Sequence, residues 1–105
     1  EAREYRMALN TEDFRPYGES VIAALTQWAK AQDGVSLAGD NFEGVRVNFS
    51  PARGNGWCLL RMSLHEPLMP LNIESDDVGG VDKIANELYP VLKGFDKLDT
   101  EKLRG

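Results

Sequence analysis

The chain has no second cysteine, no second histidine, no long apolar run and no surplus of positive charge, and each absence closes off a class of function. With Cys58 as the sole cysteine, an intramolecular disulfide framework is impossible, and its place in the apolar run Trp57-Cys-Leu-Leu60 marks a small buried hydrophobe suited to a reducing compartment. Cys58 and His65 alone leave none of the paired spacing that a structural metal site needs, so no metal ligands are assigned. No stretch approaches the roughly 18 apolar residues of a membrane span. The opening Glu1-Ala-Arg-Glu4 also lacks the charged-then-apolar profile of a secretory signal, and no membrane partner is expected. Twelve Lys and Arg against 17 Asp and Glu give a net charge of −5, which repels a polyanion at long range, so nucleic acid is not an expected partner. A single phosphorylated small molecule remains admissible, because local donors decide that case. A glycine-rich phosphate loop, a His-x-x-x-His pair and a nucleophile elbow are missing too, so no catalytic residue is assigned.

What is present reads as one α+β domain over residues 1–105, with a strand and helix in 1–40, a sheet, a polar elbow and a helix in 41–93, and a tail in 94–105. Tyr5, Met7 and Leu9 alternate as in a first strand. Asn10-Thr-Glu-Asp13 is turn and cap chemistry, and Pro16 suits a helix's first turn. Val21, Ile22, Leu25, Trp28 and Ala29 then recur at helical spacing, with Gly34 as a natural stop. Leu37 to Asn41 reads as a loop. Val45, Val47 and Phe49 alternate with Arg46 and Asn48 as a half-buried strand, and Ser50 to Gly56 is turn-forming. Trp57 to Met62 is a near-continuous apolar run, expected in a sheet's interior. Leu68 to Ser75 turns Met69, Leu71 and Ile73 inward, and Pro70, which has no N–H to give a ladder, is tolerated near a strand's start or at an edge, which places that half of the strand at an edge. Asp76 and Asp77 read as caps for a second helix marked by Ile84, Ala85, Leu88, Val91 and Leu92 and kinked at Pro90. Phe95 to Gly105 reads as a frayed tail. Strand, helix, three strands, helix predicts a two-layer antiparallel sheet with both helices on one face and the other face open.

The elbow, Arg61 to Pro67, joins the two apolar strands and gathers the chemistry. Arg61 offers a planar fork of donors that matches phosphate oxygens, Ser63 a hydroxyl, and His65 an imidazole, while a bend can turn backbone N–H groups toward the same point. In an extended segment these alternate residues would share a face. The competing reading is a polar hairpin turn in which Arg61 pairs with Glu66 and His65 is simply solvated.

Four segments in order, Glu43-Gly-Val-Arg-Val-Asn-Phe49, Gly56-Trp-Cys-Leu-Leu-Arg61, Ser63-Leu-His-Glu-Pro67 and Leu71-Asn-Ile-Glu-Ser75, resemble the C-terminal domain of the α-D-phosphohexomutases, the phosphomannomutase and phosphoglucomutase family. That family carries an Asp-Gly-Val segment, a tryptophan-led strand and a loop of the form Arg-x-Ser-Asn/Gly-Thr-x-Pro. The resemblance implies a fold similar to the TATA-binding protein and a fragment of a four-domain cytoplasmic isomerase. Its substrate would be a hexose phosphate, and the preceding domains of the same polypeptide would be its partners. Phosphoserine and Mg²⁺ on those other domains would carry the chemistry, with no cofactor in this fragment, which alone would be inactive. By position, Arg61 and Ser63 match the family's phosphate-gripping residues, Leu64 stands where Asn or Gly is usual, and His65 replaces threonine. The alternative from another class is a non-catalytic α+β module that binds a protein through its open sheet face.

Overall fold

The computed structural model describes residues 1–40 and 44–104. Seven principal elements follow the chain: β1 (Ala2–Ala8), α1 (Phe14–Lys30), β2 (Val35–Asp40), β3 (Gly44–Phe49), β4 (Gly56–Arg61), β5 (Leu68–Ser75) and α2 (Gly80–Leu92). The strands form one antiparallel sheet in the order β1-β5-β4-β3-β2. Alternation sets its two faces. Met7, Val45, Val47, Cys58, Leu60, Met69, Leu71 and Ile73 are buried beneath α1 and α2, whose own Val21, Leu25, Ile84 and Leu88 complete the core. The α+β fold class, with both helices on one side of an antiparallel sheet, is as the periodicity predicts.

Four local expectations are revised, the last of them the Asp76 and Asp77 caps. The first is the loop expected at Leu37 to Asn41: Val35 to Asp40 is a fifth strand on the sheet's edge, paired with β3. Its register shifts between Leu37 and Gly39, a bulge that breaks the two-residue period, and Ala, Gly and Asp are poor strand formers, so the usual signal is erased. Asn41 and Glu43 lie outside the described residues.

The second concerns Pro70, in the half of the strand expected at an edge: β5 lies inside the sheet between β1 and β4 and Pro70 is buried, but its half is laddered with β1 alone, the β4 ladder ending at Leu60↔Leu71. Ser75 exchanges both backbone bonds with Glu1, whereas the Leu68 carbonyl accepts from Ser63 and the Asp76 N–H donates to the Asn55 carbonyl. Even-numbered residues of β5 therefore address β4. The N–H that Pro70 lacks would have met Arg61, one step past the last pair of that ladder, Leu60↔Leu71. A proline is tolerated inside the sheet because it falls where the ladder stops.

The third is the tail. Leu98 and Leu103 are buried, Leu98 bridges to Leu9, and residues Glu101–Arg104 form a 3-10 turn. Tyr17 anchors the segment, its ring edge-on to Phe95 at 5.9 Å and its hydroxyl accepting from the Lys97 N–H at 3.0 Å. Two isolated leucines carry no periodicity, so nothing in the sequence pattern marked them as docked.

Around the far end of the sheet, α2 starts from Gly79 with φ 81°, and neither Asp76 nor Asp77 caps it with a side chain. Asp77 instead accepts from the Asn55 side-chain amide at 3.1 Å. Arg53 braces the turn before β4, donating to Glu87 Oε1 and to the Asp33 carbonyl, both at 2.6 Å, which ties the end of α1 to α2.

Cys58 is 0% exposed, and burial pushes its thiol up to about 12. The folded chain holds this proton past the pH at which the unfolded chain loses it. The thiol thus leaves stability untouched below the ordinary thiol value and lowers it as pH rises toward 12. Native protein at pH 8 should resist a thiol-alkylating reagent for hours and react fully once denatured. Rapid native labelling, followed by mass spectrometry, would contradict the buried assignment.

Candidate functional site

The elbow begins where β4 ends. Cys58 and Leu60 turn inward, and so does Met62, which is 5% exposed, so Arg61 lies on the open side of the sheet. Arg61 is exposed, Ser63 half-buried and His65 exposed. Strand geometry stops at Arg61, so the alternation expected to bring Arg61, Ser63 and His65 onto one face does not extend to His65. The loop is closed at its base, where the Ser63 N–H donates to the Leu68 carbonyl at 3.1 Å. Within it the Leu68 N–H donates to the Glu66 carbonyl at 2.8 Å across Pro67, a tight turn that the fixed φ of proline favours.

Hydrogen bonding in this loop is one-sided. The carbonyls of Leu64, Glu66 and Pro67 all accept, from Arg15, Leu68 and Leu9 respectively. The N–H groups of Leu64, His65 and Glu66 have no acceptor among the described residues. The side chains of Arg61, Ser63 and His65 make no hydrogen bond or ion pair among the described residues, so the Arg61–Glu66 pairing of the competing reading is not formed. The free N–H groups and the three side chains put hydrogen-bond donors on the loop's surface, the chemistry an anion requires, beside the exposed Glu66 carboxylate and the Ser63 and His65 carbonyls, which accept from no described residue. Leu64, at the position where a small residue was usual in the resembled loop, is 64% exposed and takes no place in the core.

This donor set is of the wrong kind for a cation. Among the described residues no group of three or more His, Cys, Asp or Glu could hold a metal ion. Nor is any described helix long and apolar enough to cross a membrane.

The open face carries a second feature. The Arg46 guanidinium lies 4.2 Å from the centroid of the Trp57 ring, and a shallow concavity of about 420 Å³ beside it is lined by Glu4, Trp57, Leu59, Asn72 and Glu74 among others. Sequence reading placed Arg46 outward but not over Trp57. The stack follows from register, since Arg46 pairs with Leu59 and Asn48 with Trp57, so the two residues are diagonal neighbours.

Arg15 is the residue that sequence reasoning missed at the elbow. It stands in the first turn of α1 and donates to the Leu64 carbonyl at 3.2 Å, across 49 positions of sequence. No local pattern links residues so far apart.

Compared with known proteins, the chain matches no family model and no curated protein.

Proposed function

We propose that the elbow grips a phosphate group, and that the chain acts as the C-terminal phosphosugar-binding domain of a phosphomannomutase or phosphoglucomutase. It would hold the non-reacting phosphate of a hexose phosphate during intramolecular phosphoryl transfer. The observation that carries this reading is the set of free donors: the Arg61 guanidinium, the Ser63 hydroxyl, the His65 imidazole and the amides of Leu64 and His65, in a loop where the Leu64, Glu66 and Pro67 carbonyls are already engaged. A hydrogen bond to a charged oxygen contributes about 1.5–3 kcal/mol. Two or three would supply the roughly 4 kcal/mol of a millimolar complex, with the remainder of the site coming from other domains. Anchoring the passive phosphate lets remote binding energy orient the reacting end. Phosphoserine and Mg²⁺ belong, on this reading, to those other domains, and a cytoplasmic setting suits the reduced Cys58.

The second reading, a non-catalytic interaction module, is favoured by the Arg46–Trp57 stack and by the half-buried side chain of Leu59 on the open face. One experiment separates them. Titrating the chain with glucose 6-phosphate and with inorganic phosphate should move the amide resonances of residues 61–66, with Kd on the order of millimolar. Resonances that stay fixed in the elbow up to tens of millimolar ligand would end the phosphate reading.

A further inference from the structure

Helix α1 is fitted closely against the elbow at two points. Gly18 leaves room for Met62, since an added Cβ would come within 2.9 Å of the Met62 Cγ and closer still to its Sδ. Three residues earlier, on the same side of the helix, Arg15 reaches the Leu64 carbonyl, its sole hydrogen bond among the described residues. That carbonyl belongs to the peptide between Leu64 and His65, in the middle of the donor set.

The peptide unit is planar and trans, so its C=O and N–H point in opposite directions. We infer that Arg15 is a positioning residue for the anion site: by drawing the Leu64 carbonyl toward α1, it turns the His65 N–H away from the helix and presents it to the ligand. The inference rests on the phosphate-binding reading of the elbow and adds to it a residue from a distant part of the chain. Without Arg15 the peptide is free to rotate, and the His65 amide is aimed only part of the time. Its donor strength is unchanged; the loss is one of preorganisation.

The test is a titration of the wild-type chain, Arg15→Ala and Arg15→Lys with glucose 6-phosphate, read by calorimetry and by amide resonances, beside thermal melts of each. Arg15→Ala should raise Kd about five- to tenfold, the scale of one charge-assisted hydrogen bond or its alignment. It should also shift the His65 amide in the ligand-free protein and leave the melting temperature within about 2 °C, as for a surface change. Arg15→Lys should recover part of the affinity, because an ammonium also donates to a carbonyl but without the planar fork. Arg15→Ala binding within twofold of wild type overturns this inference alone. An affinity loss that appears only with a matching fall in melting temperature, and that lysine does not relieve, assigns Arg15 to support of the fold and likewise overturns it. A wild-type elbow silent to the ligand overturns the phosphate reading and this inference with it.

Discussion

Gly56→Ala should lower the melting temperature by about 12 °C or more, if the chain folds at all, reflecting a cost of about 3 kcal/mol or above. Gly56 opens β4 and lies between Phe49 of β3 and Ser75 of β5. A Cβ there would overlap the Glu74 carbonyl of the adjacent strand, which is backbone and cannot step aside without separating the two strands. The corner is crowded further by Ser75, whose hydroxyl donates to the Gly54 carbonyl at 2.6 Å, and by Gly80, where a Cβ would strike that same hydroxyl. Relief by local shift is therefore blocked on two sides. Gly94→Ala provides the contrast, since a Cβ there meets nothing within 4 Å and its φ is not in the left-handed region. That change should be neutral or stabilise by up to about 1 kcal/mol through the unfolded chain's lost freedom. Paired melts by circular dichroism decide the matter, and a Gly56→Ala protein as stable as Gly94→Ala would mean that the β4–β5 contact is looser than described.

Arg61→Ala should weaken binding of a hexose phosphate by about 10- to 150-fold, corresponding to about 1.5–3 kcal/mol for a charge-assisted contact. Stability should be unaffected to within about 0.5 kcal/mol, because the side chain is exposed and bonds to no described residue. Arg61→Lys should fall between the two, keeping the charge and losing the two-pronged geometry. This divergence of affinity from stability identifies a ligand-facing group. Competition between the hexose phosphate and inorganic phosphate in the wild type would further place the phosphate, and not the sugar ring, at Arg61. Affinity that is indifferent to Arg61 would remove the elbow from consideration and favour the open face around Trp57.

Much of the architecture was legible in the sequence where burial imposes a clean period. Val21 through Ala29 repeat at helical spacing because one stripe of α1 faces the sheet, and Val45, Val47 and Phe49 alternate because one side of β3 does. The misses have a common cause: local patterns report burial only when geometry is regular. The bulge in β2 shifts its register partway along, and Leu98 and Leu103 dock singly. Pro70 marks where the β4 ladder ends and not an outer strand, because the rule against proline concerns a missing N–H, and which neighbour that N–H would have faced is a matter of tertiary register. For the site, the side chains Arg61, Ser63 and His65 were readable as types. The spent carbonyls beside free amides, and the reach of Arg15, arise only when remote segments meet.

The proline inside β5 also has a mechanical sense. Above it the two central strands are joined rung by rung, and below it the Ser63–Leu68 bond closes the loop, so one stitch is dropped between a rigid body and its polar tip. A guest held at the tip would pull on β4 across that missing rung, while the Leu9 N–H still fastens Pro67 to β1.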